Sequence, residues 1–203
     1  MEIFIFNLNW MTWNLLLGVF AVLFGYMMVR STNPYFKGLW FFLWFLFVPN
    51  TIYVITDLYH STYQVFSVQV WQLPILLLQY VILEVLGTIL FLCALHYFDT
   101  FLVKLKISQS VRYVCLIFMN FLLSFGVMIG RFQRTNSWEV FTAPLKVKDD
   151  ILAFLFSTDL LVYALLFGFL CNLLYFILIR RYNCFISYLK GRRDSFHAKK
   201  KHT

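Results

Sequence analysis

The chain has 203 residues, 62% of them hydrophobic and 13% charged, with a mean hydropathy of +0.77. That composition excludes a soluble domain and points to a membrane protein. The net charge of +8 comes mostly from the last two dozen residues; a basic segment beside a final membrane helix serves topology and anionic-lipid attraction, about 1 kcal/mol per residue, so nucleic acid is not the expected partner.

A hydrocarbon core of roughly 30 Å is crossed by about 20 apolar residues in a helix. Runs at 10–29, 36–56, 73–98, 111–129 and 160–179 meet that length and predict an all-α, polytopic bundle of five transmembrane helices, a single domain over 1–203 whose residues 180–203 form a basic cytoplasmic tail. Thirteen of the seventeen basic residues fall on one side of this arrangement, which the positive-inside rule makes cytoplasmic, with the amino terminus outside and the carboxyl terminus inside. The first run lacks a basic start and a small-residue cleavage site, so it stays as a helix rather than a cleaved signal.

In the first helix Asn14 and Gly18 share a face and read as a close-packing contact. The second carries Pro49, whose missing N–H frees the carbonyl of Phe45 and kinks the helix. Beyond it Asn50, Tyr53, Asp57 and His60 recur at three or four residues and form one polar stripe. Polar groups in an apolar segment are costly and by default mark a functional site; the plainer alternative is that Asn50 caps the carbonyl that Pro49 frees. The outer loop to Gln72 lies on the interface or pairs as a short strand.

In the third helix Glu84 is the deepest acid, roughly 16 Å below the outer surface. It is a neutral hydrogen-bonding group, a proton or cation carrier, or the partner of a buried arginine. The fourth helix aligns Asn120, Ser124 and Arg131 on one face and opens into the second polar stretch, GRFQRTNSW, with Arg134, Asn136, Trp138 and then Glu139. Two arginines at an outer helix end either snorkel toward lipid headgroups or pair with Asp57; because arginines on the translocated side run against the charge bias, one of Arg131 or Arg134 is expected to pair with Asp57. The run Ile151–Phe156 is either an interfacial helix or the start of the last membrane helix, and Asp159 either its N-cap or a shallow buried acid. Cys93, Cys115, Cys171 and Cys184 have no C-x-x-C spacing and His96, His197 and His202 lie away from His60, so no disulfide frame, metal site or cofactor is expected.

Together LFVPNTIYVITDLYH and GRFQRTNSWEV resemble the paired motifs of a bacterial integral membrane family, domain of unknown function 1361. The resemblance rests on Pro49, Asn50, Tyr53, Thr56, Asp57 and His60 in the first motif and Gly130, Arg131, Arg134, Asn136, Ser137 and Trp138 in the second. The family usually carries aspartate where this chain has Glu139. The resemblance implies a multi-pass protein of the bacterial cytoplasmic (plasma) membrane and brings no assigned activity, cofactor or catalytic residue.

The residues support three functions. The first is a non-enzymatic membrane protein whose outward-facing cluster of Asn50, Tyr53, Asp57, His60, Arg131, Arg134, Asn136 and Trp138 binds a membrane partner or an anionic lipid headgroup. The second is an enzyme acting on a lipid-linked phosphate at the outer leaflet, with the arginines holding an anion and His60 or Asp57 as acid or base. The third is a small transporter coupled to protons through Glu84. No nucleophile is evident for the second and no internal repeat for the third, which places the first ahead.

Overall fold

The computed structural model describes the backbone of residues 2–200 and the side chains of 3–179 apart from 54 and 58–61. The described residues are helical throughout, joined by turns: α1 (Glu2–Arg30), α2 (Pro34–Phe47), α3 (Pro49–Thr56), α4 (Leu58–Val65), a 3-10 turn at Val70–Gln72, α5 (Leu73–Lys104), α6 (Gln109–Phe132), α7 (Glu139–Thr142), α8 (Pro144–Leu155) and α9 (Thr158–Lys200). Among them Ile3–Arg30, Val70–Lys104, Gln109–Phe132 and Thr158–Ile179 are each long and apolar enough to cross a membrane.

The remaining expected crossing, 36–56, is divided into two short helices. Val48 N–H still bonds to the Trp44 carbonyl at 2.8 Å, but Pro49 has no N–H to give, and Thr51 N–H turns back to the Val48 carbonyl at 3.0 Å. The Phe47 carbonyl therefore loses its helical donor, and the Asn50 side-chain amide takes it at 2.9 Å. The capping alternative holds, with Phe47 rather than Phe45 as the acceptor. A second interruption falls at Asp57, between α3 and α4. The polar stripe is thus carried by α3 as far as Asp57, and His60 belongs to the next helix; its side chain lies outside the described residues.

Two further segments depart from expectation. The loop after Asp57 folds as α4 and a 3-10 turn rather than a strand. Residues Ile151–Leu155 belong to α8, which ends before Ser157, so they are not the start of the last membrane helix. The Ser157 hydroxyl accepts Leu160 N–H at 3.5 Å in the capping position, and Asp159 is an exposed acid in the first turn of α9.

The bundle closes where α1 is narrow. Gly18, Ala21 and Gly25 share one face of α1: a Cβ on Gly18 would meet Leu90 Cδ1 at 3.0 Å, and one on Gly25 would meet Tyr97 Cβ at 3.0 Å and Trp44 Cδ1 at 3.1 Å. Small residues there let α2, α3 and α5 approach, and the core forms around Trp44 stacked on Phe98, ring centroids 5.0 Å apart. On the far side α6 packs against α9 and α3. Asn120 and Ser124 serve the first of these contacts: Asn120 donates to Asn172 Oδ1 at 3.0 Å, and the Ser124 hydroxyl donates to the Ala164 carbonyl at 2.7 Å.

Candidate functional site

Asp57, only 2% exposed, stands in the break between α3 and α4. Its Oδ1 accepts Arg131 Nη1 at 2.9 Å, and Arg131 Nη2 donates to the Thr56 carbonyl at 3.1 Å. Asn14 Nδ2 reaches Asp57 Oδ2 at 3.4 Å, and the guanidinium lies over the Tyr53 ring, 5.7 Å from its centroid. The carboxylate is thus satisfied from two helices, α6 and α1, and Arg131, not Arg134, is its partner. Removing one charge of so buried a pair leaves the other stranded.

Arg134 has a different position. It follows the end of α6 with φ of 55°, the left-handed conformation that usually falls to glycine after a helix. Its side chain is exposed and makes no ion pair among the described residues. The backbone reversal at Arg134 folds residues 135–142 back over the end of α6, where the Thr135 carbonyl lies 3.5 Å from a Cβ built on Gly130.

From there α7 and α8 form a strap held by four contacts. Asn50 donates its second amide hydrogen to Ser137 Oγ at 3.0 Å, and Thr135 Oγ1 donates to Asp150 at 2.6 Å. Glu139 accepts Asn136 N–H at 2.8 Å and Lys146 Nζ at 2.8 Å. The Lys146 ammonium and the Asn136 amide hold the Glu139 carboxyl below its ordinary pKa.

Beneath the strap lies a cavity of about 750 Å³. Its floor is the α2–α3 junction at Phe45, Leu46, Pro49, Asn50 and Tyr53. One wall is α1 from Trp10 to Leu17, the other α6 from Leu122 to Gly130, and Ser137, Trp138, Val147 and Ile151 of the strap cover it. From Trp10 to Leu17 is seven residues of helix, so the cavity runs roughly 10 Å along the bundle. Apolar walls with a few convergent polar groups are the usual make-up of a small-molecule site. A second cavity of about 850 Å³ lies toward the other end, between α6 and α9, beside the Asp99–Arg112 ion pair.

Of the residues singled out from sequence, Asn50, Tyr53, Asn136 and Trp138 line the first cavity, while Asp57 and Arg131 brace its floor from behind. Glu84 lies on α5 outside the cavity lining, partly exposed, with a buried Oε1 that accepts no hydrogen bond among the described residues. Sequence reasoning missed Asn14 as a partner of Asp57 and missed the α1–α4–α5 clamp altogether. In that clamp Asn7, fully buried, and Gln64 exchange amide hydrogen bonds at 2.8 and 3.0 Å, while Tyr80 donates to Gln64 at 3.2 Å. The one signal was the side-by-side placement of Asn7, Asn14 and Gly18 along α1.

Long apolar helices packed through small residues, with polar groups paired across the bundle, define an all-helical multi-pass membrane protein. A family model described as "Protein of unknown function (DUF1361)" matches residues 13–174, most of the chain and both polar motifs, and the chain belongs to that family. Neither the curated proteins nor the solved structures give a match.

Proposed function

We propose that the protein binds a membrane lipid, whose chain lies in the cavity between α1, the α2–α3 junction and α6 and whose head sits beneath the α7–α8 strap. The observation that carries this reading is the 750 Å³ cavity itself, apolar along its length and polar at one end. A ligand shaped like that lining is amphipathic. We take α2 and α3 together as a fifth crossing, with the amino terminus outside and the carboxyl terminus cytoplasmic in a bacterial plasma membrane, on the strength of the lysine and arginine bias. The cavity's polar end then faces the outer leaflet. Arg131 and Asp57 serve in this reading as the neutralised support that keeps α3 against α6.

Native mass spectrometry of detergent-purified protein tests it. Wild type is expected to retain a lipid that Val147→Phe/Ile151→Phe, two bulky rings placed in the cavity from the strap, no longer holds. A wild type that carries no lipid, or a double variant that carries as much, sinks the proposal. A periplasm-dependent reporter fused after Thr203 tests the orientation: activity there would invert it.

A further inference from the structure

Resting on the lipid-binding reading, we infer that the cavity selects a lipid whose head is uncharged and hydroxylated, such as a diacylglycerol or a glycolipid, over one bearing a phosphate. Charge decides first. Among the described residues that line the cavity, none is ionised: its polar groups are Asn14, Asn50, Tyr53, Thr135, Asn136 and Ser137. The nearest guanidinium, Arg131, does not line it and has committed Nη1 to Asp57 and Nη2 to the Thr56 carbonyl. Arg134 is exposed and not part of the lining. A phosphate entering here would lose its hydration and meet no counter-charge, and burial of an unpaired ion is strongly unfavourable.

Hydrogen-bond polarity decides next. Both asparagine amides at the inner edge of the polar end are oriented by groups that can only accept. Asn50 Nδ2 faces the Phe47 carbonyl at 2.9 Å, and Asn14 Nδ2 faces the Asp57 carboxylate at 3.4 Å. The two Oδ1 atoms are therefore the free ends, and no donor among the described residues reaches either. Two unclaimed acceptors beside the cavity call for a donor, which a hydroxyl supplies and a fully ionised phosphate does not. Trp13, Trp138 and Asn136 bring neutral N–H donors at the outer end, and these suit the acceptor lone pairs of the same hydroxyls. The lining thus matches a glycerol or sugar head on both counts.

Trp10, Trp13 and Trp138 line the cavity, so a bromine-labelled acyl chain within it quenches their fluorescence. Full-length protein in an uncharged detergent is titrated at about pH 9, where a phosphate monoester is fully ionised, with brominated diacylglycerol and with phosphatidic acid of the same chains. Diacylglycerol is expected to half-quench wild type at a mole fraction at least about tenfold lower. Asn14→Leu, which removes one acceptor and leaves the Asp57–Arg131 pair in place, is expected to lose that preference while phosphatidic acid quenching stays as it was. Equal quenching by both lipids, tighter phosphatidic acid binding, or an unchanged preference in Asn14→Leu would overturn the head-group inference. If Val147→Phe/Ile151→Phe is quenched like wild type by both lipids, the lipid-binding reading itself fails.

Discussion

The two arginines of GRFQR look alike in sequence and occupy opposite situations, which makes their substitution the sharpest test of the structure. Arg131→Gln leaves Asp57, whose side chain is 3% exposed, with an unpaired charge and the Thr56 carbonyl without its donor. Breaking one partner of a buried pair costs about 3–5 kcal/mol. At about 2–4 °C per kcal/mol for a chain of this size, the melting temperature in detergent should fall by roughly 6–20 °C. Asp57→Asn combined with Arg131→Gln removes both charges and should recover more than half of that loss, because most of it is the stranded carboxylate rather than the lost attraction. Arg134→Gly should behave in the opposite sense. It relieves a left-handed non-glycine residue and removes no ion pair among the described residues, so stability should stay level or rise by up to about 1 kcal/mol. The measurement is thermal unfolding of the four proteins in one detergent. Equal losses for Arg131→Gln and Arg134→Gly, or a double variant worse than Arg131→Gln alone, would refute the buried-pair argument.

Asn7→Ala should cost about 1–3 kcal/mol, since it strands the Gln64 amide against α5, and the loss should appear as faster amide exchange across 58–65; protection unchanged there would count against the clamp. Gly126→Val places a branched side chain where even a Cβ would come within 2.9 Å of Pro49 Cγ, and should destabilise by about 1–3 kcal/mol; a variant as stable as wild type would mean that α3 and α6 do not pack this closely. The strap should respond to acid. Glu139 is held below its ordinary pKa by Lys146 and Asn136, so its contribution is present above the normal glutamate range near 4 and fades as pH falls through the lowered value. Amide protection of 139–155 should therefore hold from pH 7 to about 5 and decline below about 4, while Glu139→Gln should lack that decline.

Much of the architecture is legible because hydropathy is a long-range property: a run such as Leu73–Phe98 admits no other fold in lipid. The break between α2 and α3 is legible too, since only Pro49 interrupts the apolar run at 36–56. Its consequence was misjudged by two residues. Proline removes the donor for Phe45, but the tightened turn at Thr51 then also frees Phe47, and the amide of Asn50 reaches the nearer carbonyl. The Asp57–Arg131 pair could be expected from charge alone, because an arginine against the topological bias needs a partner. Asn7, Asn14 and Gln64 carry no such conflict. Neutral amides are cheap enough to be read as packing, and their partners lie 57 and 43 residues away, so nothing local announces them. Arg112 was hidden by the opposite effect: it fits the cytoplasmic excess so well that its bidentate pairing with Asp99, at 2.9 and 3.1 Å, left no trace in the pattern.

The break between α2 and α3 also explains how a cavity can persist in so apolar a bundle. A continuous helix through Pro49 would satisfy its own carbonyls and leave Asn50 no reason to hold its orientation. Because the break exposes the Phe47 carbonyl, one Asn50 hydrogen is fixed there and the other reaches Ser137, so a single amide ties the floor to the strap. If the strap lifts, the Ser137 contact is lost but the Phe47 contact remains, and no buried group of the floor is left unpaired. Lys146–Glu139 lies within the strap and moves with it. Two hydrogen bonds, Asn50–Ser137 and Thr135–Asp150, each worth about 0.5–1.5 kcal/mol, tie the strap to the floor and to the turn, while Phe154, fully buried with its ring centroid 5.6 Å from that of Phe125, anchors α8 in the bundle. The strap is therefore held lightly at its α7 end and firmly at Phe154, so its least stable part is the turn and short helix that cover the polar end of the cavity.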